Sequence, residues 1–131
     1  MNTAVAIDNV TEILNKILEF TDRRKRVLTR NILEMNASDF VPMDLDDDGF
    51  ARVMTVALSE HVANRRLMLC DCDTVKFGVE GEFESVPVED PRAAEMLKAS
   101  PKDYLDYQVH KLSENWLNRK VTMALLRQKQ S

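Results

Sequence analysis

The segment Asp44-Leu45-Asp46-Asp47-Asp48-Gly49 places carboxylates at the first, third and fifth positions and a glycine at the sixth, as a calcium loop begins. Carboxylate oxygens suit a hard cation, and glycine permits the sharp turn. The twelfth position is Thr55, where a bidentate acid is needed, so the segment reads first as an acidic turn that caps a helix. Cys70-Asp71-Cys72-Asp73, with His61 and His110 elsewhere, offers thiolate and imidazole donors for zinc. One residue between the cysteines is tighter than the spacing that paired zinc ligands use, so two reduced thiols at a helix end are expected instead. Neither pattern calls for a metal or cofactor.

Arg23-Arg24-Lys25-Arg26, followed by Arg30, is the patch with most resemblance to a nucleic-acid contact. Successive helical residues point to several sides rather than into one groove, and Phe20 is the only aromatic nearby. The run therefore reads as a solvated helix segment or a protein contact. A net charge of −4 also works against attraction to a polyanion, so no nucleic-acid partner is expected. No nucleophile–base pair, glycine-rich phosphate loop or dinucleotide fingerprint is visible, so the chain is not expected to be an enzyme.

The elements that would carry these residues follow from composition and period. With 131 residues, 44% hydrophobic, 31% charged and 6% aromatic, the chain suits one modest, mainly helical core. No run approaches the roughly 20 apolar residues of a membrane span. The opening residues lack a basic region and lead into an amphipathic segment, so no cleavable secretory signal is expected.

Ile7, Val10, Ile13, Leu14, Ile17 and Leu18, then Val27, Leu28, Ile32 and Met35, keep helical spacing, and the charged run between the two blocks is expected to bend or break the helix. Residues 35–49 form a loop. A second helix over 50–68 presents Val53, Val56, Ala57, Val62 and Leu67, and is expected to pack less tightly than the terminal pair. Alternation of Val75, Phe77 and Val79, then Gly81 and Phe83, predicts a short β-hairpin, with Pro87 keeping the Val86-Pro87-Val88 run at an edge. Asp90-Pro91 and Ser100-Pro101 each set a capping residue before a proline and start two helices, a short one over 92–98 and the long final one.

In that final helix Leu105, Val109, Leu112, Trp116, Arg119, Met123 and Leu126 alternate by four and three, a narrow coiled-coil seam with one charged interruption. It is expected to lie along the first helix, against Val10, Leu14, Ile17, Leu28 and Met35, with Trp116 buried in it. The fold class is mainly α, with two long terminal helices paired in a coiled-coil-like hairpin around a central insert. That insert holds a further helix and a possible short β-hairpin. The whole reads as one domain, divided into 1–36, 37–99 and 100–131.

Phe20-Thr21-Asp22-Arg23-Arg24 leads to Asn31-Ile32-Leu33-Glu34-Met35-Asn36-Ala37-Ser38-Asp39-Phe40, and Asp44-Leu45-Asp46 follows. Near the other end stand Asp106-Tyr107-Gln108-Val109-His110-Lys111-Leu112-Ser113-Glu114-Asn115, then an apolar and basic ending over Val121 to Arg127. In these stretches the chain resembles the flagellar basal-body rod proteins of the bacterial axial family. The family's turn carries Thr-Pro-Gly where Ala37-Ser38-Asp39 stands here, which leaves Asp39 to take any left-handed torsion. The resemblance implies a structural subunit of the proximal rod in the periplasm, exported by the flagellar type III apparatus. Its implied partners are other rod and basal-body proteins and copies of itself. The implied assembly residues are Val10, Leu14, Ile17, Leu28, Asn31, Ile32, Met35, Asn36, Phe40, Leu105, Val109, Leu112, Trp116, Met123 and Leu126. A stand-alone helical adaptor and a calcium-responsive module remain as alternatives.

Overall fold

A computed structural model of the chain describes residues 2–78 and 83–130, with side chains described over 9–78 and 83–129. The chain is mainly helical, with two long terminal helices around an insert of shorter elements. Helix α1 spans Asn2–Leu33 without interruption. The break expected at Thr21 to Arg26 does not occur: Thr21, Asp22, Arg24 and Arg26 find partners, and Lys25 is exposed to solvent. The Thr21 hydroxyl donates to the Leu18 carbonyl at 2.8 Å, and Arg26 pairs with Asp22 one turn back at 2.7 Å. Arg24 turns inward and is 5% exposed.

After α1 the chain turns through residues 34–42, where Asp39 adopts the left-handed conformation at φ 62. Asn31 ties this loop down. Its amide nitrogen donates to the Met43 carbonyl at 2.7 Å, and its amide oxygen accepts from the Met43 nitrogen at 3.1 Å. Strand β1, Met43–Asp44, can then pair antiparallel with Val88–Glu89 further along, Met43 opposite Glu89 and Asp44 opposite Val88.

Helix α2 spans Asp47–Asn64, starting and ending earlier than expected. Asp46 caps it by accepting from the Gly49 nitrogen at 2.9 Å, and Asp47 and Asp48 in the first turn complement its dipole. Its buried face is Phe50, Val53, Met54, Ala57 and His61, while Val56, Val62 and Leu67 are exposed. The expected Val53 and Ala57 face is therefore inward and the rest of that row is not. Strands β2, Val75–Phe77, and β3, Phe83–Ser85, pair antiparallel as the alternation predicted, with Phe77 opposite Phe83. Val79 and Gly81 of the expected hairpin lie outside the described residues. The short Val88–Glu89 strand is β4.

The apolar core forms where α1, α2 and the hairpin meet. Phe20 stacks on Phe50 with centroids 4.0 Å apart, Phe83 lies 5.8 Å from Phe50, and Ile13, Leu45, Val53, Ala57 and Val75 close around them. Ile17 and Val27 also pack against this cluster.

Helix α3, Pro91–Ala99, is capped by Asp90, which accepts from the Ala93 nitrogen at 3.1 Å. Ser100 separates it from α4, Pro101–Gln130, and its hydroxyl accepts from the Asp103 nitrogen at 3.3 Å. Helix α4 runs antiparallel along α1, since Gln108 meets Asn31, Asn115 meets Thr21 and Arg119 meets Leu18. The contact row of α4 is not the apolar seam. Its buried residues are Tyr104, Gln108, Asn115 and Thr122, one position out of phase with Leu105, Val109, Trp116 and Met123, and, towards the end, the seam residue Leu126. Among the described residues no helix is long and apolar enough to cross a membrane.

Candidate functional site

The terminal helices are joined by directed polar bonds. The Asn31 amide donates to the Gln108 amide oxygen at 3.0 Å, and the Tyr104 hydroxyl donates to the Asn31 carbonyl at 2.6 Å. Further along, the Asn115 amide donates to the Thr21 carbonyl at 2.7 Å. The Thr21 carbonyl, inside the α1 ladder, accepts through its second lone pair, and the Tyr104 hydroxyl satisfies a carbonyl in the last turn of α1, so the pairing holds without weakening either helix. Such bonds specify register more narrowly than apolar contact does. Burial raises the Tyr104 phenol to about 12, with the nearby Asp90 charge acting the same way, so the phenol stays a donor across the working range.

Next to this seam lies a buried network of charge. Arg24 donates through Nε and Nη2 to the two oxygens of Asp44 at 3.0 and 3.1 Å. The Lys111 ammonium of α4 lies 2.7 Å from Asp44 and 2.7 Å from Asp90. One cluster thus joins α1, β1, the α3 cap and α4. Burial by itself would raise the Asp44 carboxyl, but the bonds and charges of Arg24 and Lys111 outweigh it and hold it below the usual carboxylate range. Burial would likewise lower Lys111, and the bonds from Asp44 and Asp90 reverse that and raise it. The basic run seen in the sequence is dispersed by the fold: Arg23 lies over the Phe83 ring at 4.6 Å, Arg24 goes inward and Arg26 pairs locally.

On the outer side of the same helix pair the apolar seam is left open. Val109 is 52% exposed, Trp116 57% and Met123 40%, which corrects the expectation that they face α1. Together with Lys25 of α1 they line a groove of about 630 Å³ whose other charges are Arg119, Lys120 and Arg127. Among the described residues no carboxylate lines it. Lys120 sits over the Trp116 ring at 4.7 Å. Leu117, Val121 and Leu125 form a second exposed apolar row on α4.

The residues expected to mediate assembly thus divide. Leu14, Leu28, Asn31 and Leu126 are buried, and Val10, Ile17, Ile32, Met35, Phe40, Leu105 and Leu112 are half-buried. Asn36 is exposed, as are Val109, Trp116 and Met123. Ile17 faces the α2 cluster rather than α4. Arg24, Asp44, Asp90, Tyr104, Gln108 and Lys111, which organise the helix pair, escaped the sequence reading as a group. The spacing Tyr104, Gln108, Lys111, Asn115 was the available signal, and it is hidden because three of its four members are polar and uncharged or cationic.

The acidic turn is taken up by other work. Asp44 is held by two cations, and Asp46 accepts from Gly49 on one oxygen and from the Thr74 hydroxyl at 2.9 Å on the other. Cys70 and Cys72 are free thiols, and the bond from Thr74 lowers the Cys72 thiol. His61 is buried near Asn9, while His110 pairs with Glu114 on the surface of α4. Among the described residues no cluster of three His, Cys, Asp or Glu side chains is placed to hold a metal ion. Comparison with known proteins returned no matching family model, curated protein or solved structure.

Proposed function

We propose that this chain is a non-enzymatic structural subunit of the proximal rod of the bacterial flagellar basal body, of the FlgB kind, assembling through its paired terminal helices and transmitting torque. The observation that carries the reading is the open apolar row Val109, Trp116 and Met123 on a helix whose adjacent face is already locked to α1. A contiguous apolar surface of this kind marks a contact with another protein. The resemblance of residues 20–46 and 106–127 to the axial family supplies the kind of assembly: other rod proteins and copies of this chain, in the periplasm after type III export.

The polar seam suits such a part. A shaft under torque needs helices that do not slide, and bonds such as Asn31 to Gln108 and Asn115 to Thr21 resist sliding in a way apolar contact does not. A stand-alone helical adaptor would use the same open face on another partner, and the test separates the two. Deletion of the gene in its source bacterium, scored for swimming and for basal bodies by electron microscopy, removes the rods. Wild-type gene restores them and the exposed-face variant Trp116→Asp does not. Intact rods in the deletion strain would overturn the rod assignment.

A further inference from the structure

The groove on α4 has the opposite sign to the chain that bears it. The net charge is −4, yet the charged side chains lining this surface are Lys25, Arg119, Lys120 and Arg127, all cationic. Arg119 reaches back to the Leu18 carbonyl at 3.4 Å. Lys25, Lys120 and Arg127 are exposed, and among the described residues none of them is paired with a carboxylate. Of the acids on α4, Asp103 lies before the groove begins, Asp106 is paired with Lys102 at 3.1 Å and Glu114 with His110 at 3.0 Å.

The floor is apolar and periodic. Val109, Leu112, Trp116 and Met123 follow the alternation of three and four, with Arg119 at the remaining step. From Val109 to Arg127 the groove runs for about 27 Å. A volume of about 630 Å³ spread over that length is a shallow trough, not a chamber that encloses a small molecule. It lies between α4 and the Lys25 side of α1, so it is concave and takes a ridge rather than a flat membrane surface. The complement of such a trough is a helix with apolar residues at the same spacing, and the complement of its rim is carboxylate.

The helices of this chain do not supply that partner. Among them α2 alone opens with consecutive acids, Asp47 and Asp48, and its residues Phe50, Val53, Met54 and Ala57 are turned into the core. Pairing α4 with the α4 of a second copy sets cation against cation in either direction. Lys25 lies one turn beyond Thr21, which Asn115 contacts, so it flanks the groove near Leu112. An antiparallel copy centred on Trp116 brings its own Lys120 to that level, and a parallel copy sets Lys120 on Lys120 and Arg127 on Arg127.

We propose that the groove receives an amphipathic helix of a different protein, which opens with Asp or Glu, continues with apolar residues at three and four, and lies antiparallel to α4. Acidic residues stabilise the first turn of a helix, and Arg119, Lys120 and Arg127 stand towards the end of α4, so the partner's first turn sits there. The proposal rests on the assembly reading above and adds the chemistry of the neighbour that fills this face.

Trp116 is the single tryptophan of the chain and part of the groove floor, so its emission reports occupancy. The probes are synthetic peptides of about 21 residues, long enough to span the groove, without tryptophan or tyrosine. Each has the same leucine row at heptad spacing and is held helical by the same hydrocarbon staple. One carries Glu in its first two turns, one carries Glu in its last two turns, and one carries Lys in its first two turns. Titrated into the full-length protein, the first shifts Trp116 emission to the blue and saturates, and the other two bind about tenfold more weakly. Lys120→Glu/Arg127→Glu inverts the preference between the first and the third. Circular dichroism checks that this variant keeps its helical content, and Arg127→Glu alone replaces it if it does not.

Equal binding of all the peptides would overturn the proposal, as would no shift with any of them. A blue shift with phosphatidylglycerol vesicles and none with the peptides would assign the groove to a membrane surface instead. Self-association in sedimentation velocity that Trp116→Asp abolishes would assign it to a second copy. Rods lost on gene deletion, with no preference among the peptides, would remove the acidic helix and keep the rod assignment, whereas intact rods with a clear preference would do the reverse.

Discussion

The guanidinium of Arg24 in α1 forks onto the carboxylate of Asp44 in β1, with Nε and Nη2 at 3.0 and 3.1 Å from its two oxygens and both residues buried. A residue in the middle of a basic run thereby fixes where the loop after α1 returns to the helix. Bidentate geometry makes this bond directional, and Lys111 on the far side of Asp44 transmits it to α4.

Removing one partner of a buried pair leaves the other charge uncompensated, which costs about 3–5 kcal/mol. Arg24→Ala should fall at the low end of that range, because Lys111 remains beside Asp44. Arg24→Lys should recover only part of the loss, since an ammonium cannot fork. Urea unfolding of the three proteins checks both statements, and an Arg24→Ala midpoint equal to the wild type would show that the pair contributes nothing.

The pH dependence follows from the same cluster. Asp44 is held lower in the folded chain than in the unfolded one, so its contribution is present above the unfolded carboxylate value and is lost as pH falls through the lower folded value. Lys111 and Tyr104 are raised on folding, Tyr104 to about 12, so their contributions are full below the unfolded lysine and tyrosine values and are lost as pH rises through the folded ones. Thermal melts should show a broad plateau, with losses at the acid end below the usual carboxylate range and at the alkaline end between about 10 and 12. Asp44→Asn should remove the acid limb selectively.

Leu28 and Trp116 should behave in opposite ways. Leu28 is fully buried, so Leu28→Ala costs about 2–5 kcal/mol. Trp116 is more than half exposed, so Trp116→Ala changes stability by less than about 0.5 kcal/mol despite removing the larger side chain. Chemical unfolding of the two variants side by side is the check, and a large loss for Trp116→Ala would mean that the indole is buried.

Gly49 stands so close to the capping carboxylate of Asp46 that a Cβ there would overlap it. Gly49→Ala therefore breaks the cap and should cost about 1–2 kcal/mol. In an Asp46→Ala background the obstacle is gone, and alanine's helix preference should turn the same substitution neutral or stabilising by up to about 1 kcal/mol. A double-mutant cycle by denaturant unfolding reads the reversal of sign.

Capping chemistry was the most legible part of the chain. Asp90-Pro91 and Ser100-Pro101 mark the starts of α3 and α4 because proline and a side-chain acceptor act within a few residues. The β2–β3 pairing was legible for the same reason, its alternation being local. The inward face of α4 was not, because hydrophobic period reports the buried face only where that face is apolar. Here Gln108 and Asn115 are buried through bonds to residues distant in sequence, Thr122 is buried with its hydroxyl on the Asn118 carbonyl of its own helix, and the apolar row faces out. Arg24 was missed on the same ground: its burial depends on Asp44 and Lys111, and nothing in a run of four basic residues announces either partner.

Under the proposed function, the open α4 face is where this chain meets its neighbours in a rod. The most direct test places a photoreactive phenylalanine analogue at position 116 of the full chain in swimming cells of the source bacterium and illuminates them. The account predicts adducts with other rod proteins, recovered in isolated basal bodies. Illuminated cells that yield only the uncrosslinked chain, with swimming intact, would contradict it.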